Sequence, residues 1–413
     1  MRKMKDSRIP WIGLIPQHWE MVRVKNIFNN HKNIVGEKES EFERLALTLN
    51  GVIKRDKNDS KGLQSENLST YQILNEKELV FKMIDLANVN TSRVGYSPYT
   101  GIVSPVYIIL NNDDYSKYGY YYFYSMWQRE IFNNLGNDGV RSALNASDMM
   151  NLPFPNISVQ EAKTIANFLD EKIQEIDNAI EKTKKTIEDY KKLRKTIINK
   201  AVTKGIDNDI EMVDSGIKWI GNIPKGWKKS KFKYCTDIIM GQSPSGDDIK
   251  LEGQTLFMQG NKEFGEIFPH PTTYCETCNK YSRVGDILMS VRAPVGAINE
   301  SDKIYGIGRG LCSIKVNKNI DKHFFKYFLE KSIDDMSYYS NGSVFDAITT
   351  EVLNNFYIFE PSTNEQIRIV EYLNNKCGEI NKLIESKEKI VEELESYKKS
   401  VIYEYVTGKK EVK

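Results

Sequence analysis

The 413-residue chain contains no run approaching the roughly 18 uninterrupted apolar residues that a membrane-spanning helix needs. Its first residues, Met1-Arg-Lys-Met-Lys-Asp, lead into no apolar stretch, so no secretory signal is read and the expected location is cytoplasmic. Cysteine is sparse and odd in number: Cys235, Cys275, Cys278, Cys312 and Cys377. In a long chain with no export signal these read as reduced thiols and not as a disulfide framework. The four histidines, His18, His31, His270 and His323, are too scattered for an evident metal or acid–base cluster. Charge of one sign is also lacking. Fifty-eight Lys and Arg against 56 Asp and Glu leave +2, so any nucleic-acid contact must rest on local basic patches.

The inventory of catalytic motifs is equally thin. There is no Asn-Pro-Pro-Tyr-type motif, no glycine-rich cofactor loop after a strand and no Gly-x-x-x-x-Gly-Lys-Ser/Thr phosphate loop. Asp247-Asp248 is an isolated acidic pair in a turn, read as solvated. Cys275-Glu-Thr-Cys278 has zinc-ligand spacing with His270 upstream, but no second ligand pair follows, and no metal site is expected.

What the chain does contain is itself, twice. Asp6-Ser-Arg-Ile-Pro-Trp-Ile-Gly-Leu-Ile-Pro-Gln-His-Trp19 recurs 208 residues later as Asp214-Ser-Gly-Ile-Lys-Trp-Ile-Gly-Asn-Ile-Pro-Lys-Gly-Trp227. A second match runs from Glu161–Gly205 to Glu365–Lys409 at an offset of 204 and pairs Ile165 with Ile369, Ile180 with Ile384 and Thr203 with Thr407. Each half therefore has a short Trp/Pro/Gly motif, a long variable region and a charged helical segment. The period is far too long for a solenoid.

The helical segments carry a heptad seam. In the first it falls at Leu169, Ile173, Ile176, Ile180, Thr183, Ile187 and Tyr190, and in the second at Cys377, Ile380, Ile384, Lys387, Val391 and Leu394. Thr183 and Lys387 interrupt the seam at equivalent points, a device that fixes register at some cost in stability. A helix of about 40 residues is roughly 60 Å long, more than one small domain can use. Connectivity makes antiparallel pairing the simple solution. The basic tract Lys182–Lys200 reads as a solvated helix face, with contact to phosphates or a partner as the alternative.

The variable regions, 20–157 and 228–361, read as α+β. Leu79–Met83, Val103–Leu110 and Asp286–Arg292 are expected strands, and Tyr118–Phe132 and Lys322–Lys331 short helices. The expected architecture is two α+β domains, 1–157 and 205–361, separated by long antiparallel coiled-coil helices at 158–204 and 362–413, as a pseudo-twofold tandem repeat. The tryptophans of the repeated motif, Trp11, Trp19, Trp219 and Trp227, are read as packing anchors.

This pattern resembles the specificity subunit of type I restriction-modification systems. The resemblance is carried by the doubled Trp-Ile-Gly-x-Ile-Pro-x-x-Trp motif and by Gly285-Asp-Ile-Leu-Met-Ser-Val-Arg-Ala-Pro-Val-Gly296 followed by Ile307-Gly-Arg-Gly-Leu311. Gly241-Gln-Ser-Pro244, Gly101-Ile-Val-Ser-Pro105 and Glu365–Leu373 add to it, while Ala162 departs from it where Gln is usual. The resemblance implies a non-catalytic chain with two target-recognition domains, each reading half of a bipartite site in double-stranded DNA. The helix pair would set the spacer and dock two methyltransferase subunits, and a motor-nuclease restriction subunit would complete the complex. No cofactor is expected on this chain; S-adenosylmethionine and ATP belong to the partner subunits. The rival reading is a coiled-coil adaptor that binds no DNA, against which the diversified variable regions argue.

Base edges are read by Arg and Lys at guanine and by Asn and Gln at adenine, while phosphates take Lys and Arg. The candidates in the first domain are Lys54, Arg55, Lys57 and Lys61 in one polar loop, with Arg93 and Arg141. In the second they are Gln242, Ser243, Gln259, Asn261, Lys262, Arg292 and Arg309. Each competes with a solvated surface role, and Arg292 and Arg309 with a structural one.

Overall fold

Each half of the chain opens with the same small device. Met4–Asp6 pairs antiparallel with Leu14–Pro16, and Met212–Asp214 with Asn222–Pro224. The turn between them needs a left-handed residue, and Gly13 and Gly221 both sit at φ +70°. Their N–H groups bond Ile9 and Ile217 and their carbonyls accept from Ser7 and Ser215, an identical pattern in the two copies. This computed structural model describes residues 2–56, 67–84, 86, 92–135, 143–207, 209–217, 220–339 and 347–412.

Two compact units emerge, Met1–Lys184 with Lys389–Lys413, and Lys185–Glu388. In the first unit one sheet has the order Asn29–His31, Ile108–Asn111, Leu79–Phe81, Val94–Tyr96, antiparallel throughout. The other has the order Gly51–Arg55, Arg44–Thr48, Gly101–Val103, Gln72–Leu74, with a parallel pairing of Ile102 to Arg44. The second unit repeats the plan except at one sheet edge, where Ile249–Lys250 joins Thr273–Cys275 whereas in the first unit Gln72–Leu74 joins Gly101–Val103. One antiparallel sheet is Thr236–Met240, Leu311–Val316, Ile287–Ser290, Ile298–Glu300; the other is Ile249–Lys250, Thr273–Cys275, Thr255–Met258, Gly306–Ile307, again with one parallel pairing, Phe257 to Gly306. The fold is α+β in both.

The expected strand Val103–Leu110 is corrected to two strands, Gly101–Val103 and Ile108–Asn111, which belong to different sheets. Pro105 cannot donate to a ladder, and a turn from Ser104 to Tyr107 redirects the chain. Gln72 satisfies the corner by donating to the carbonyls of Ser104 and Tyr107, at 3.0 and 2.6 Å. The helices also shift. The first spans Ser116–Gln128 and is followed by a left-handed Glu130 at φ +57°; the second runs from Lys322 to Tyr339.

Both long helices are unbroken, Val159–Lys204 and Thr363–Val406. Each starts behind a serine cap, with Ser158 Oγ accepting from Glu161 N and Ser362 Oγ from Glu365 N. Within the first unit Phe168 packs on Tyr405, with ring centroids 4.4 Å apart. Further along, Asp177 pairs with Lys398 at 2.6 Å and Lys184 with Glu395 at 3.1 Å. Numbers rising on one helix meet numbers falling on the other, so the two run antiparallel.

Candidate nucleic-acid interface

The second unit gathers several of its candidates at one place. Thr236–Met240 ends at Gly241, Thr255–Met258 ends at Gln259, and Gly306–Ile307 runs into Gly308-Arg309-Gly310. These three chain ends touch because the crowded positions are glycine. A Cβ on Gly310 would lie 2.5 Å from the Gln259 carbonyl oxygen, one on Gly308 2.9 Å from the Gln259 Cα, and one on Gly241 2.8 Å from the Ile307 carbonyl oxygen. The backbone is stitched by Gly308 N–H to Met258, Gly310 N–H to Gln259 and Gly241 N–H to Leu311. On this platform the Ser243 hydroxyl lies 2.7 Å from Gln259 Nε2 and 3.1 Å from Oε1, and receives the Arg309 N–H at 3.4 Å. Gln242, Gln259, Lys262 and Arg309 are exposed, and Ser243 and Asn261 half-buried. Arg292 is exposed one residue beyond Val291, whose N–H bonds the Gly310 carbonyl, so it borders the same platform.

The first unit is less complete. Lys54 is exposed on Gly51–Arg55, with its ammonium 5.3 Å from the Tyr99 ring. Arg55 closes that strand opposite the buried Arg44. Lys57, Lys61, Arg141 and, in the repeated motif, Trp219 lie outside the described residues. Arg93 needs a correction. It is 1% exposed, and its guanidinium donates to the backbone carbonyls of Lys82 and, at 2.9 Å, Ile84. Such an arginine is spent on its own chain's carbonyls and, being buried, is not presented to an outside ligand.

Along the helix pair, Leu169, Ile173, Ile176, Ile180, Ile187, Cys377, Ile380 and Val391 are buried, and Tyr190, Ile384, Leu394, Thr183 and Lys387 half-buried. In the second unit the Arg194 guanidinium forms an ion pair with Glu330 of the helix Lys322–Tyr339. Burial opposes its charge, but Glu330 outweighs that and the Arg194 pKa is raised.

Sequence reasoning missed the partners of two tryptophans. Trp19 and Trp227 are buried and donate their indole N–H groups to Glu161 and Glu365 at 3.1 and 3.0 Å. The signal was present as Ser-x-x-Glu at both helix starts, a capping-box pattern. Here each glutamate accepts from the tryptophan indole. Burial alone would raise the Glu161 pKa, but hydrogen bonds from Arg2, His18 and Trp19 and the Arg2 charge lower it. The departure at Ala162 is also explained. Its counterpart Gln366 is buried, accepting from Asp321 N and donating to the Pro361 carbonyl, whereas Ala162 is packed with no polar group to satisfy.

At Cys275-x-x-Cys278 the first thiol is buried and the second half-buried. Burial, then the neighbouring Cys275 and Asp248, push the Cys278 thiol up to about 12. Among the described residues no group of three or more His, Cys, Asp or Glu is placed to hold a metal ion. No helix among them is long and apolar enough to cross a membrane.

A doubled α+β unit, each copy locked by the same tryptophan to the start of a long helix, defines a duplicated helix-paired class of fold. The family described as type I restriction modification DNA specificity domain matches residues 224–396. A putative type I restriction enzyme MjaX specificity subunit of Methanocaldococcus jannaschii is 30% identical, over 97% of this chain and 96% of its own. The type I restriction enzyme MjaVIII specificity subunit of the same organism is 28% identical, over 97% and 94%. The chain belongs to the family of type I restriction enzyme specificity subunits. Solved structures share the fold. One, from work on complex assembly and conformational transition of the type I R-M system, has a TM-score of 0.74 at 20% identity, over 95% of this chain and 98% of that one. The HsdS subunit from Thermoanaerobacter tengcongensis has a TM-score of 0.50 at 20% identity, with the same coverage of 95% and 98%.

Proposed function

We propose that this chain is the cytoplasmic DNA-reading subunit of a type I restriction-modification complex, with each α+β unit reading one half of a bipartite duplex site. The carrying observation is the duplication itself. The four-stranded antiparallel sheet and the three-stranded, parallel-paired centre of the second sheet are kept in both units, while an edge strand and the loops differ, as expected of two readers with different targets. Affinity would come from Lys and Arg on phosphates and choice of sequence from side chains on base edges. The readers proposed are Gln242, Ser243, Gln259, Asn261, Lys262, Arg292 and Arg309 in the second unit. In the first they are Lys54 and Arg55, with Lys57, Lys61 and Arg141 as sequence candidates. The divisions proposed are recognition domains at 1–157 and 205–361 and spacer helices at 158–204 and 362–413.

The helices are also proposed to set the spacer and to dock two methyltransferase subunits. Support comes from their outward faces. Leu383, Ile390 and Tyr397 recur every seven residues on the second helix and are 45%, 36% and 47% exposed. Leu193, 47% exposed, is the first-helix counterpart of Tyr397, so the two copies offer an equivalent apolar contact. S-adenosylmethionine and ATP would then act on the methyltransferase and restriction subunits, and this chain would catalyse no step. Purifying the chain with its methyltransferase subunits and testing for a specific footprint on DNA checks the reading. Two protected half-sites support it; a complex that assembles but protects no sequence favours the adaptor instead.

A further inference from the structure

Resting on the proposed DNA-reading role, we infer that Gln259 is the residue that selects an adenine in the half-site of the second unit, with Ser243 holding its amide in place. This exposed side chain is held at both its backbone and its amide. Gln259 stands at the end of the strand Thr255–Met258 with its Cα against Gly308 and its carbonyl against Gly310. Its amide is then spanned by one hydroxyl, Ser243 Oγ, at 2.7 Å from Nε2 and 3.1 Å from Oε1. An ordinary surface glutamine has three free torsions and loses their entropy whenever it binds. Here the backbone beneath is fixed by two glycines, Gly308 and Gly310, and the amide by a serine, so much of that ordering is complete before any ligand arrives.

An amide held this way offers an acceptor and a donor side by side. In the major groove that pair matches the N6 amino group and N7 of adenine, with Oε1 accepting and Nε2 donating. The Ser243 hydroxyl stands near both atoms and supplies in free protein the polar contact that the base supplies in the complex. Arg309 follows Gly308 directly, and its backbone N–H reaches the same hydroxyl at 3.4 Å. Its side chain is exposed, and an arginine of this loop suits guanine or a phosphate. Gln242 and Asn261 carry the same kind of amide, but the Gln259 amide is the one that Ser243 spans, so the adenine assignment falls on it.

The test uses the full chain with its methyltransferase subunits and maps methylated adenines across a genome by single-molecule sequencing. The wild-type complex should give a two-part motif. In Gln259→Ala one adenine of one half-site should become degenerate, with its discrimination falling by between about 5- and about 150-fold, while the other half-site stays unchanged. Gln259→Glu should move that same position toward cytosine, because a carboxylate only accepts and cytosine N4 donates. Ser243→Ala should keep the motif, because the base takes over both amide contacts from the hydroxyl. An unchanged motif in both Gln259 variants overturns the inference and leaves the reading role standing. A wild-type complex with no two-part motif means that the reading role itself has failed. If a Gln259 variant methylates nothing, selection from a randomised duplex pool decides. Relaxation at a single position supports the inference, and uniform loss of affinity in a folded complex overturns it.

Discussion

Trp19 donates its indole N–H to Glu161 across 142 residues of sequence, and the bond measures 3.1 Å. Trp227 makes the same bond to Glu365 in the second unit. Both glutamates sit in the first turn of a long helix, where the helix dipole favours a negative charge. The repeated motif is thereby fastened to the start of the helix that follows its own variable region.

Removing either acceptor should unfasten that joint. Glu161→Ala and Glu365→Ala each leave a buried indole N–H without a partner, at a cost of about 1–3 kcal/mol. The loss should be larger for Glu161, which also holds Arg2 and His18. Urea denaturation of the two variants measures it, and equal stability to wild type would show that the joint is ornamental.

The two copies of the motif predict a stabilising change. Arg8 is an exposed residue at φ +60°, and its counterpart Gly216 sits at φ +68°. A left-handed conformation costs an ordinary residue about 1–2 kcal/mol, whereas glycine adopts it freely but loses about 0.5–1 kcal/mol of backbone entropy. Arg8→Gly should therefore raise stability by about 0.5 kcal/mol in thermal unfolding.

Acid sensitivity should trace to Glu300. Burial acts to raise its pKa, but hydrogen bonds and charge from Lys326 and Lys322 win and bring it to about 2 from 4.5. A carboxylate depressed in the folded state stabilises it at pH above the unfolded value and loses that contribution as pH falls through the folded one. The contribution of this group should disappear between pH 4.5 and about 2. Glu300→Gln should lower the melting temperature at pH 7 and flatten its fall across that window. A parallel fall in variant and wild type would contradict the assignment.

If the helices set the spacer, inserting one heptad into both should lengthen the unread gap and leave both half-sites as they were. Methylated sites mapped for such a variant provide the check, and an unchanged gap would remove the helices from that role.

The repeat, the α+β class and the long helices are legible in the sequence because they rest on local pattern. The heptad seam and the Trp/Pro/Gly motif need no knowledge of distant contacts. What is illegible is what depends on them. The pairing of Ile102 with Arg44 joins residues far apart, and the corner at Pro105 sends one apolar run into two sheets. Arg93 looks like a phosphate ligand until its burial is known. Ser243, Gln259 and Arg309 are named individually by residue type, but their meeting depends on Gly241, Gly308 and Gly310, whose role lies in what a side chain there would strike.

The most direct measurement is the map of methylated adenines in cells that co-express this chain with its methyltransferase subunits. The account predicts a two-part motif with a fixed, unspecified gap. Methylation confined to one continuous motif, or none from an assembled complex that binds S-adenosylmethionine, would contradict it.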